Sequence, residues 1–95
     1  MNMRKERLIE VDVEITKSEK MAEDKIITVF ILSEDSDGST NDENFVFSYD
    51  KDIDSILNEI DWSCENGMTK KGLAKIKSAI KKEIRLEKQG KNTIF

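Results

Sequence analysis

Residues 25–32, KIITVFIL, decide the architecture. Ile27, Val29 and Ile31 form one alternating row, and Ile26, Thr28, Phe30 and Leu32 form the other. A strand built from β-branched and aromatic residues on both faces belongs at the centre of a sheet. Before it lies LIEVDVEIT (8–16), which alternates strictly: Ile9, Val11, Val13 and Ile15 face one way, Glu10, Asp12 and Glu14 the other. This is the pattern of a strand with one buried and one solvated face. After it comes FVFSY (45–49), a third short strand with Phe45, Phe47 and Tyr49 on one side. The links are the polar stretch 17–24 and the acidic, turn-rich stretch 33–44, SEDSDGSTNDEN. Short links of this kind favour an antiparallel meander.

Beyond Tyr49 the period changes. Ile53, Ile56, Leu57, Ile60 and Cys64 recur at helical spacing between Asp52 and Glu65, with Asp50 or Asp52 placed to cap the start. Asn66 and Gly67 read as a stop, with Gly67 in the left-handed conformation. Thr69 then caps a second helix whose stripe is Leu73, Ile76, Ile80 and Ile84, with Ala79 beside it, and which frays near Gly90. The expectation is a single α+β domain over residues 1–95: a three-stranded antiparallel sheet in the order β-β-β-α-α, with the helical hairpin packed on one face. If both helices cover the same face, the row Ile26, Phe30 and Leu32 is left open as an interface for a partner or a second copy.

Composition narrows the class. At 95 residues the chain suits one domain with one modest core. No run approaches the roughly 20 apolar residues of a membrane span, and the opening residues lack the continuous apolar segment of a secretory signal. The lone Cys64 excludes an internal disulfide. Together these predict a soluble protein of the cytosol. Charge is distributed unevenly: residues 1–66 hold 18 acids against 7 bases, and residues 67–95 hold 9 bases against 2 acids. Such asymmetry marks either internal complementarity or two surfaces with different partners.

The inventory argues against catalysis. With no histidine, both the commonest general base and the commonest transition-metal ligand are missing. A single cysteine cannot build a zinc site, and the glycines at 38, 67, 72 and 90 form no phosphate-binding loop. Set on a calcium loop, Asp35, Asp37 and Gly38 occupy acceptable positions. Ser33 and Asn44, however, stand where the pattern needs Asp and a bidentate Glu, so a solvated turn is the better reading. No enzyme, cofactor or metal is expected.

Three surfaces remain as candidates. Carboxylates at Glu10, Asp12 and Glu14 stand about 6.5–7 Å apart along a strand, comparable to the spacing of phosphates on a nucleic-acid strand. With Asp35 and Asp37 of the turn and the acids of the first helix they could imitate DNA. Trp62 lies about 180° from Ile53 around that helix at 100° per residue, so it points outward, flanked by Asp54 and Asp61; an exposed tryptophan among acids is a good protein-binding anchor. On the second helix, Lys71, Lys75, Lys82 and Arg85 oppose the apolar stripe and could contact phosphates, although no interleaved aromatics point to base reading.

In type, the chain resembles the small, acidic, phage-encoded inhibitors of bacterial defence, such as anti-CRISPR proteins. The likeness covers size, acidity, the mix of strands and helices, and a lysine-over-arginine bias of 13 to 3 that suits an AT-rich coding sequence. It involves no motif, so it assigns no residue a role. It implies stoichiometric binding to a nucleic-acid-handling enzyme that blocks its basic groove. On the surface reading above, the residues expected to carry such a contact are Glu10, Asp12, Glu14, Asp35, Asp37, Asp54, Asp61 and Trp62. The rival expectations are a nucleic-acid-binding regulator using the basic helix and a dimeric assembly subunit.

Overall fold

The computed structural model describes residues 5–17, 25–35, 37–64 and 67–89. Strands β1 (Arg7–Lys17), β2 (Lys25–Glu34) and β3 (Thr40–Ser48) are followed by helices α1 (Ile53–Ser63) and α2 (Lys70–Lys88). The sheet order is β1-β2-β3, antiparallel throughout, with β2 in the centre. The expected α+β arrangement is therefore the one observed.

The two rows of β2 have different fates. Ile27, Val29, Ile31 and Ser33 are buried, whereas Ile26, Thr28, Phe30 and Leu32 are only half-buried. Both helices lie over the first row. Ile56 and Ile60 of α1 and Ile76 and Ile80 of α2 are completely buried, and they join Leu8, Val13, Ile27, Val29, Ile31, Phe47, Cys64 and Met68 in one core. Fully burying an isoleucine side chain stabilises the fold by roughly 1.5–3 kcal/mol, so these four helical residues are the main attachment of the helices to the sheet.

Two features depart from the sequence reading. In β1, Leu8 pairs with Ser33 but Glu10 pairs with Leu32, so Ile9 is an extra residue in a β-bulge. The inward row Val11, Val13 and Ile15 thus continues backwards through Leu8 and Glu6, not through Ile9. In addition, β3 begins at Thr40 rather than Phe45. Residues Thr40–Asn44 have weak strand preference, but the register with Phe30–Glu34 supplies their backbone partners and overrides it. The acidic loop shrinks to a tight turn. There the Asp35 amide donates to the Ser39 carbonyl at 2.9 Å, and Gly38 adopts φ +90°, which suits a residue without a Cβ.

The helix boundaries follow their caps. The Asp52 side chain accepts from the Ser55 amide, and that of Thr69 accepts from the Gly72 amide. Gly67 has φ +80°, as the stop signal required, although α1 already ends at Ser63, capped by Cys64, whose amide donates to the Asp61 carbonyl. Gly72 is needed for close approach: a Cβ there would come within 3.0 Å of the Leu8 Cβ and 3.1 Å of the Met68 Cγ. Glu6, just before β1, is fastened to the interhelical link. The Glu6 amide donates to the Gly67 carbonyl at 2.8 Å, and the Thr69 amide donates to the Glu6 carbonyl at 3.1 Å. At the other end, Lys25 of β2 donates to Glu87 of α2 at 2.7 Å and sits over the Tyr49 ring. The hydrogen bond to Glu87 raises the Lys25 pKa.

Candidate protein-binding face

Among the described residues, no element covers the face of the sheet opposite the helices. Its central row is Ile26, Thr28, Phe30 and Leu32. The register sets Glu10 and Asp42 on either side of Leu32, Asp12 and Asn44 on either side of Phe30, and Glu14 and Val46 on either side of Thr28. Adjacent strands lie about 4.8 Å apart, so the flanking rows are about 10 Å from each other. Val46 is 61% exposed. Glu10, Asp12, Phe30, Leu32 and Asp42 line a shallow concavity of about 440 Å³. An apolar ridge therefore runs between carboxylates.

Glu10, Asp12, Glu14 and Asp42 are exposed. Among the described residues none of the four has an ion-pair partner; the pairs that form are Arg7–Glu34, Lys25–Glu87, Lys51–Glu59 and Lys77–Asp54. Asp12 makes one local bond, accepting from the Val13 amide at 3.1 Å. The lysines of α2 do not neutralise this face, because α2 lies on the opposite side of the sheet.

The remaining sequence-nominated residues are elsewhere. Asp35 and Asp37 are occupied in the β2–β3 turn. Asp35 Oδ1 accepts from the amides of Asp37 and Ser39, its Oδ2 accepts from the Asn41 side chain, and Asp37 Oδ1 accepts from the Ser39 amide. Hydrogen bonding within this turn, above all with Asp35, lowers the Asp37 pKa to about 2. Asp61 accepts from the Met68 amide at 2.8 Å and so ties α1 to the interhelical link. Asp54 is exposed 3.7 Å from Lys77. Trp62 is 89% exposed in the last turn of α1, as its angular position required. Asp54, Asp61 and Trp62 thus belong to the helical layer, whereas Glu10, Asp12 and Glu14 belong to the opposite face, so the eight nominated residues do not make one surface. Asp42 was missed because its stretch reads as loop. The signal was there: the spacing Asp42, Asn44, Val46 continues the outward alternation of β3.

The basic residues Lys71, Lys75, Lys82 and Arg85 are exposed and share one side of α2. Lys71 and Lys75 border a small depression with Arg7 and Thr69, and Arg85 borders another with Ile53, Ile84 and Lys88. Sheet face and helix face thus carry opposite charge.

A buried polar group lies between the layers. The Ser33 hydroxyl donates to Glu6 Oε1 at 2.7 Å, with both residues buried. The buried Cys64 thiol lies nearby and contacts the Ile60 carbonyl at 3.4 Å. Burial, then the negative charge of Glu6, pushes its pKa up to about 12, so at neutral pH it is a protonated, unreactive thiol. Among the described residues no group of three or more acidic or cysteine side chains could hold a metal ion, and no helix is long and apolar enough to cross a membrane. Comparison with family models, curated proteins and solved structures finds no match to this chain.

Proposed function

We propose that this protein is a non-enzymatic, protein-binding inhibitor or adaptor whose open sheet face occupies a basic groove on a nucleic-acid-handling enzyme. The observation carrying this reading is the regular row Glu10, Asp12 and Glu14, without an ion-pair partner among the described residues and joined across the face by Asp42. Carboxylates that lose their water on binding need cationic partners, and four with no ion-pair partner among the described residues are complementary to lysine and arginine side chains. A phosphate-binding groove supplies such cations at short intervals. The same row disfavours face-to-face pairing of two copies, because like charges would then oppose one another. The inert Cys64 and the absence of histidine from the sequence support a binding role over a catalytic one.

The test is a capture experiment. Immobilised protein should retain a nucleic-acid-handling enzyme at low salt and release it to duplex DNA or to raised salt. The variant Glu10→Lys/Asp12→Lys/Glu14→Lys should retain none. Capture that persists in this variant, or a gel shift of DNA by the protein itself at moderate salt, would overturn the reading, the latter in favour of the basic face of α2.

A further inference from the structure

Nucleic acid offers only charge along its backbone, but the open face also has an apolar centre. Ile26, Phe30 and Leu32 are half-buried, Val46 is exposed, and carboxylates stand on both sides. We infer that the open face is the seat for a basic amphipathic α-helix of the partner, with Phe30 and Leu32 as its apolar contact and Glu10, Asp12, Glu14 and Asp42 as its charged flanks. This rests on the protein-binding reading above and specifies the element that is bound.

The dimensions and the charge agree with a helix. From Ile26 to Leu32 the ridge runs six residue steps, about 20 Å, the length of roughly 13 helical residues. The flanking rows are about 10 Å apart, close to the diameter of a helix with its side chains. A helix resting its apolar stripe on Phe30 and Leu32 would point lysines on its two shoulders at Glu10 and Asp12 on one side and Asp42 on the other. The opposite face of the same sheet already takes two helices in this way, so binding would complete a three-layer sandwich. An extended strand would reach only one side of the ridge, and an acidic helix would be repelled by Glu10, Asp12 and Glu14 along one side and by Asp42 on the other.

The test uses two labelled synthetic peptides of 14 residues with the same leucine and lysine content. In one the leucines recur at helical spacing; in the other their order is scrambled so that no apolar stripe forms. Fluorescence anisotropy of the intact protein should show the amphipathic peptide binding at least tenfold more tightly. Phe30→Thr, which keeps a strand-forming residue and leaves the helical side of the sheet untouched, should abolish that preference. Glu10→Gln/Asp12→Asn/Glu14→Gln should weaken both peptides and flatten their salt dependence. Equal binding of the two peptides with continued sensitivity to the Gln/Asn changes would sink the helix inference while leaving the charged-face function standing. Failure of the amphipathic peptide to bind, or a preference unaffected by Phe30→Thr, would also overturn it.

Discussion

The two faces of one sheet share a backbone but not a physical task. On the covered face, Ile27 and Val29 are fully excluded from water and meet Ile56, Ile60, Ile76 and Ile80. On the open face, their neighbours Thr28 and Phe30 are half-exposed and flanked by unpaired acids. The covered face supplies the closed core; the open face, only half-buried, contributes less and leaves part of its apolar and charged groups available to another surface. A strand with apolar residues in both rows can therefore serve cohesion with one row and recognition with the other.

Substitution can break this division directly. Ile80→Ala should cost about 2–5 kcal/mol in urea denaturation, the range for deleting methyl groups from a closed core. Phe30→Thr should cost less, about 1–2 kcal/mol, because Phe30 is only half-buried and its apolar area contributes in proportion. Equal losses would mean that the open face is part of the core. Gly72→Ala is the next test in size. Alanine favours a helix over glycine by about 1 kcal/mol, but here its methyl group would press on Leu8 and Met68. A net loss of about 1–2 kcal/mol is expected from overpacking, and a gain would show that β1 can move away from α2.

The titratable groups give smaller effects. Cys64 has a folded-state pKa of about 12 against an ordinary 9.0. Its contribution to stability is complete below pH 9 and declines as the pH rises towards 12, with a slope of up to about 1.4 kcal/mol per pH unit. Cys64→Ala should flatten this part of the alkaline profile, leaving the decline from Lys25, whose raised pKa acts in the same direction at higher pH. At pH 8 the native thiol should also react with a disulfide reagent far more slowly than the denatured one. The smallest effect belongs to Asp37. Its pKa is lowered from 3.8 to about 2, so its contribution is present above pH 4 and fades as the pH falls to 2. Asp37→Asn should remove that portion of the acid dependence in a thermal melt followed across this range.

Most of the architecture was legible because periodicity reports burial. The alternations in β1 and β2, the stripes of α1 and α2, and the caps Asp52 and Thr69 are local signals, and each corresponds to an observed element. What could not be read locally was set by pairing across the sheet. Nothing in Arg7–Glu10 announces the extra residue at Ile9, because it follows from the match to Leu32 and Ser33 and from the close approach of Leu8 to Gly72. Likewise, Thr40–Asn44 become strand because β2 offers them partners. The candidate face was legible in part for the same reason. Glu10, Asp12 and Glu14 follow from alternation alone, Asp42 needed the full length of β3, and Asp35, Asp37 and Asp61 proved to be committed to turn and link hydrogen bonds that composition cannot reveal.

The parallel bridge between Glu6 and Met68 also bears on the order of assembly. Closing a loop of roughly 60 residues costs about 3.6 kcal/mol in chain entropy, before any constant term, so this contact is a poor nucleus compared with the β2–β3 hairpin. During synthesis Arg7 and Leu8 can pair with Glu34 and Ser33 of β2 once those residues have emerged, but the Glu6 backbone lacks its bonds to Gly67 and Thr69 until the interhelical link follows. The Glu6 backbone is thus among the last of the described parts to be fixed, a latch that closes once the interhelical link is in place.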